Sequence, residues 1–105
     1  MAELDDALAD IEIVSPVPGC VEIRLRGEID VPSAEELAET IREVIDSAPK
    51  RVDFDLEGVT FMDSSGIALL LTAANAVEDV RIVKLSAPAR RIIELTGLDS
   101  FLHLQ

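Results

Sequence analysis

Four sets of residues in this chain are of types that can do chemistry. They are the run Asp63, Ser64, Ser65 and Gly66, the acids Asp53 and Asp55, the single histidine His103 and the single cysteine Cys20. Asp53 and Asp55 in "DFDLEG" have the spacing that opens an aspartate-nucleophile phosphatase motif. That chemistry also needs a metal, a lysine and further acids from a larger scaffold, whereas strand alternation alone puts the two acids on one polar, solvent-facing side. A serine hydrolase would have to recruit His103 as the base for Ser64 or Ser65, and no glycine flanks either serine on both sides as in a nucleophile elbow. His103, between Leu102 and Leu104, suits a surface or a sheet edge. Cys20 has no cluster of bases near it in sequence and reads as a small half-buried thiol. One cysteine and one histidine supply neither an internal disulfide nor a structural zinc cluster, so the expectation is a cytoplasmic protein with no metal, no cofactor and no catalytic residue.

The remaining set lies in "TFMDSSGIALLLTAANAV", residues 60 to 77, where an acid and two hydroxyls precede an almost wholly apolar run. At a helix entrance Asp63, Ser64 or Ser65 can cap orphan backbone N–H groups, a role worth about 1 kcal/mol. Two adjacent serines followed by a glycine exceed what one cap requires, and Gly66 removes a side chain where another backbone can approach. The helix behind them has no charged residue from Gly66 to Val77. Ile67, Leu70, Leu71 and Ala74 can face a core while Ala68, Leu69, Thr72 and Ala73 fall on other faces, so the helix is either covered on every side or offers a patch to a partner.

Composition restricts the partner. The 105 residues are 49% hydrophobic and carry a formal net charge of -12, which suits one domain and opposes nonspecific attraction to nucleic acid or anionic lipid. With no Trp or Tyr and three Phe, there is little material for stacking bases, and a protein with a basic surface is the more plausible partner. The N-terminal "MAELDDALAD" is acidic, the reverse of a targeting segment, and residues 1–10 read as a solvated tail or short helix before a domain over 11–105. The longest apolar run, Gly66 to Ala74, falls well short of the roughly 20 residues that span a bilayer.

The elements that must position these groups follow from periodicity. "IEIVS" and "CVEIRLRGEI" alternate, with Ile11, Ile13, Val21, Ile23 and Leu25 on one face and Glu12, Glu22, Arg24 and Arg26 on the other; "PVPG" between them predicts an antiparallel hairpin with a loop longer than two residues. "SAEELAETIREVIDSA" has helical spacing at Ala34, Leu37, Ala38, Ile41, Val44, Ile45 and Ala48, and Ser33 with Glu36 forms a capping-box pattern behind Pro32. Its other face holds Glu35, Glu36, Glu39, Glu43 and Asp46 with Arg42, which is either a solvated face or a docking surface. "RVDFDL" reads as a strand that gives way at Gly58 to a loop, "VTFM", over the sheet. "VRIVKL" reads as a further strand. A last helix is marked by Ser86 as N-cap, Pro88, the apolar Ala89, Ile92, Ile93 and Leu95, and Gly97 as its stop; "LDSFLHLQ" ends as a loop, short strand or frayed helix. The order predicts an α/β domain with a mixed sheet of four to five strands packed against helices.

Taken together, "LRGEIDVPSAEEL", "VDFDLEGVTFMDSSGIALLL" and "LSAPARRIIELTGLDSFL" resemble the STAS domain, and within it the bacterial anti-sigma-factor antagonists; the resemblance covers nearly all of residues 11 to 104. "MDSSGI" is its most specific part. The resemblance implies a partner-switching module: the unmodified form binds an anti-sigma factor, which is also a serine kinase, and so releases the sigma factor. That kinase phosphorylates the serine directly after the Asp of the "DSSG" motif, here Ser64, and a separate serine phosphatase restores it. Asp63, Ser65 and Gly66 then shape the loop and, with Asp30 of "GEID" nearby, form the partner-binding surface. Ala68 departs from the pattern, standing where many antagonists have a second glycine, a position that bears on close packing with a partner. The resemblance extends to STAS domains of lipid-transport complexes and sulfate transporters, so the alternative is an interaction subunit of such a complex that is not phosphorylated. Neither implies direct nucleic-acid binding or membrane insertion.

Overall fold

The computed structural model describes residues 9–98 and the backbone of residues 103–104. Of the predicted tail over residues 1–10, residues 1–8 lie outside the described residues, as does the side chain of His103, while Asp10 already belongs to the first strand, paired with Arg26, rather than to a tail. The strands are β1 (Asp10–Val17), β2 (Cys20–Ile29), β3 (Arg51–Met62), β4 (Asp79–Leu85) and β5 (His103–Leu104), and the helices are α1 (Val31–Asp46), α2 (Ser64–Ala76) and α3 (Ala87–Thr96). They form one mixed sheet in the order β1-β2-β3-β4-β5, antiparallel between β1 and β2 and parallel elsewhere, as the alternation of strands and helices requires.

One face of the sheet is the core. Ile23, Leu25, Phe54, Leu56 and Ile82 are fully buried and share a single cluster with Ile41 of α1, Leu70 of α2 and Ile93 of α3. The other face is a charged lattice in which Arg24 and Arg26 reach Glu12 across the hairpin and Arg81 pairs with Asp79. Asp53 departs from the expectation of a solvent-facing acid. It is only 7% exposed, and the Arg51 guanidinium binds it with Nε at 2.8 Å from Oδ1 and Nη2 at 2.9 Å from Oδ2. Asp53 is thereby committed to an ion pair, because a buried carboxylate needs a partner that satisfies both oxygens.

Four other expectations are corrected. The hairpin loop is the two residues Pro18 and Gly19, not a longer one: Val17 pairs with Cys20, Gly19 has φ 84°, and Pro16 is absorbed into the irregular end of edge strand β1, where its missing N–H costs little. The cap of α1 is Asp30 rather than Ser33, since Ser33 sits at the third helical position and closes a reciprocal box with Asp30, leaving Ala48 beyond the helix. β3 does not stop at Leu56 but runs unbroken to Met62. Gly58 is the reason: its Cα faces Arg26 of β2, whose Cγ would lie 2.7 Å from any added Cβ, so the glycine admits a neighbouring side chain at a register shift rather than ending the strand. Leu95, counted with the apolar stripe of α3, is 76% exposed, whereas Ala89 and Ile93 carry the burial. The caps of α3 match the expectation, with Ser86 accepting from the Ala89 N–H and Gly97 in the left-handed conformation.

Candidate functional site

The site grows out of two adjacent parallel strands. Ile29, the last residue of β2, is the register partner of Met62, the last residue of β3, so Asp30 and Asp63 leave the sheet side by side. The Asp63 N–H donates to the Ile29 carbonyl at 3.2 Å and ties the two exits together. Each Asp then caps a helix, Asp30 for α1 and Asp63 for α2, so two helix N-termini open at the same edge of the sheet. Asp30 Oδ1 accepts from the Ser33 N–H at 3.3 Å and lies 3.0 Å from Ser33 Oγ, while the Ser33 hydroxyl accepts from the Asp30 N–H at 3.0 Å.

The second cap sorts the two serines. Asp63 Oδ1 accepts from the Ser65 N–H at 2.9 Å and from the Ser65 hydroxyl, and the Asp63 carbonyl accepts from the Gly66 N–H at 3.1 Å. Ser65 is thus consumed in holding the loop. Ser64, at the first position of α2, is exposed, and its hydroxyl has no hydrogen-bond partner among the described residues. The Ser65 hydroxyl, followed by the surrounding N–H groups, holds the Asp63 carboxyl below its ordinary pKa against the opposing effect of partial burial. Because the folded pKa is the lower one, the cap contributes fully above the ordinary Asp value of about 3.9 and is lost as pH falls through the folded value. Asp63→Ala is therefore expected to cost about 1 kcal/mol at neutral pH. Thermal melts should show the gap between wild type and variant closing in strong acid.

Gly66 is placed otherwise than predicted. It is buried, and a Cβ there would lie 2.6 Å from Met62 Cγ and 3.2 Å from Ile29 Cγ2, so it lets α2 settle onto the ends of β2 and β3 and presents no surface to a partner. The choice left open for α2 resolves mainly toward coverage. Ile67, Leu69, Leu70 and Ala73 are buried, with α1 lying alongside, while Ala68 and Thr72 stay exposed. Sequence reasoning missed two apolar neighbours of the loop. Val31, directly after the Asp30 cap, is 60% exposed, and Phe61, two residues before Asp63, is 47% exposed. The signal for Val31 was legible as an apolar residue at the first position of α1; that for Phe61 was hidden by taking "VTFM" as a loop. Among the described residues no group of acids, histidines and cysteines is arranged to hold a metal, and no helix is long and apolar enough to cross a membrane.

An exposed, unpartnered serine between two helix N-termini, on a domain of this topology, defines a class, and comparison agrees: residues 13–105 match the model of the STAS domain, and the chain belongs to that family. Relatives that it matches there include anti-sigma factor antagonists. Over 87 residues it is 29% identical to the anti-sigma-B factor antagonist of Staphylococcus aureus, covering 79% of this chain and 81% of that protein. The crystal structure of an anti-sigma factor antagonist from Mycobacterium paratuberculosis superposes with a TM-score of 0.84 at 27% identity, covering 91% of this chain and 84% of that one. SpoIIAA, an anti-sigma factor antagonist solved in its unphosphorylated form, superposes with a TM-score of 0.78 at 25% identity, covering 91% of this chain and 88% of that one.

Proposed function

We propose that this chain is a regulatory binding module whose unmodified form docks an anti-sigma factor through the edge formed by Asp30, Asp63, Ser64 and Ser65, and that phosphorylation of Ser64 by that same anti-sigma factor, acting as a serine kinase, releases it. A serine phosphatase resets the switch. The observation that carries the reading is the difference between the two serines: the Ser65 hydroxyl is bound to Asp63, and the Ser64 hydroxyl is exposed and unpartnered at a helix N-terminus. A relative described in an unphosphorylated form supports a modification cycle.

The surroundings suit a switch that spares the fold. A phosphate on Ser64 adds about -1.5 to -2 charge where two helix N-termini meet, and helix dipoles tolerate an anion there. No backbone hydrogen bond of the loop uses the Ser64 hydroxyl, so none is lost. Exposed Val31 and Phe61 supply apolar contact around the loop.

Purified protein incubated with ATP and the anti-sigma factor kinases of its source genome is expected to gain one phosphate, located on Ser64 by peptide mass spectrometry. Ser64→Ala should abolish it with unchanged thermal melting, and Ser65→Ala should retain it. Phosphate on Ser65 alone, or none from any of these kinases, would sink the reading and leave the transport-complex subunit as the function to test.

A further inference from the structure

Beside the serine loop, α1 and α2 leave an open groove of about 420 Å³ that runs from Val31 and Ser65 down to Arg42 and Thr72. Its floor is made of small and apolar groups, Ala34, Ala38, Ala68 and Leu69, and the exposed Val31 stands at its mouth. One rim is acidic. Glu35 and Glu39 are exposed, line the groove, and form no ion pair among the described residues. Being four residues apart on α1, they lie one above the other about 6 Å apart. Arg42, one turn further, marks where the acidic rim ends.

We infer that this groove is a second arm of the docking surface and takes a basic amphipathic helix of the protein partner. The inference rests on the docking function proposed above, and it names the chemistry of the partner. The occupant follows from what lines the groove. An apolar floor of alanines leaves room for a bulky side chain such as leucine, since each small residue lowers the floor where a larger one would fill it. An acidic pair one turn apart selects two Lys or Arg residues one turn apart on the facing helix, and Arg42 repels a third placed beyond them. A chain with a net charge of -12 adds long-range attraction for such a partner and raises the rate at which it arrives. Ala68 gains a role here. A glycine at that position would deepen the floor by one methyl group, so the residue that departs from the usual antagonist pattern sets the depth of the groove and with it the side chain that fits.

The groove is separate from the switch. Glu35 and Glu39 lie one and two turns into α1, whereas Ser64 does not line the groove and only adjoins it through Ser65, so the groove sets which partner binds and the serine sets whether it stays bound. Its test needs no knowledge of the partner. A short amphipathic Leu/Ala/Lys helix is titrated into the labelled protein and followed by amide NMR, with the same peptide carrying Glu in place of Lys as control. The Lys peptide is expected to shift Ala34, Ala38, Ala68 and Thr72, and the Glu peptide to leave them in place. The double variant Glu35→Gln, Glu39→Gln should weaken Lys-peptide binding about three- to tenfold and flatten its salt dependence. Ala68→Gln should block binding while leaving the melting temperature unchanged. Equal shifts from both peptides, shifts confined to the open face of the sheet, or no shifts at all would overturn the groove. With the kinase that modifies Ser64, the double variant should also raise the KM for phosphorylation. If no kinase modifies Ser64 and the peptide still binds as described, the switch fails and the groove stands; if Ser64 is modified and the peptide shifts nothing in the groove, the reverse holds.

Discussion

Phosphorylation of Ser64 is expected to weaken binding to the anti-sigma factor about 100-fold, with the fold unchanged. The magnitude follows from where the charge lands. Ser64 directly follows Asp63, and Asp30 leaves the neighbouring strand at the same level, so a dianion joins a pair of carboxylates at the centre of the proposed docking edge. When a partner covers that edge the phosphate loses its hydration, and it also repels any acid the partner places opposite Ser64. A differential cost of about 3 kcal/mol is ordinary for an unpaired charge in an interface and corresponds to roughly two orders of magnitude in Kd. Titration calorimetry with the enzymatically phosphorylated protein measures the effect directly. Ser64→Asp, which adds one charge on a shorter side chain, should weaken binding by about tenfold, and Ser64→Ala should leave it near the wild-type value. Unchanged affinity on phosphorylation would show that charge at Ser64 is not what controls docking. Salt dependence divides the two costs, because repulsion is screened and desolvation is not.

The second large effect belongs to a residue without a side chain. Gly66→Ala is expected to destabilise the domain by about 2 kcal/mol, net of the roughly 1 kcal/mol that alanine gains over glycine in a helix. The added methyl would sit 2.6 Å from Met62 Cγ, in the middle of that side chain, and 3.2 Å from Ile29 Cγ2. Met62 is buried under α2 and meets the added methyl in mid-chain, so either its side chain must move toward the open pocket it lines with Phe61 and Ile92 or the start of α2 must lift from the strand ends. The melting temperature should fall by on the order of 10 °C. A double-mutant cycle with Met62→Ala isolates the contact: the cost of Gly66→Ala should shrink once the opposing side chain is gone. An equal cost in both backgrounds would place the strain in the backbone rather than against Met62. Because Asp63 and Ser64 ride on the same turn, the variant should also be phosphorylated more slowly than its loss of stability accounts for.

Local signals carried most of the architecture. Alternation in "CVEIRLRGEI" and "VRIVKL" and helical spacing in α1 depend on which face each residue presents, and that is set by backbone geometry within a few residues. The caps of α3 were legible for the same reason, since Ser86 and Gly97 act on the turn next to them. The cap of α1 was missed where two local solutions compete. Asp30 and Ser33 cap one another's backbone, a reciprocal box whose third helical position holds a hydroxyl in place of the usual Glu or Gln. β3 was cut short because a glycine and a short apolar run look like a loop until Arg26 of the neighbouring strand is seen lying over Gly58.

By itself, then, the sequence determined the fold class, the helix that begins at the serine loop, and the family motif that singles out Ser64. Only the tertiary structure decided which hydroxyl is free. Ser64 and Ser65 are alike in composition and nearly alike in position, and a single hydrogen-bonding carboxylate, aimed by the exit of β3, separates them. It likewise placed Gly66 in the interior and supplied the physical reason why Asp30, expected beside the loop from the family resemblance alone, lies there. Asp30 and Asp63 are far apart along the chain, and no local pattern connects them. The parallel register of Ile29 with Met62 does, because two strands that end at the same level deliver their next residues to the same place.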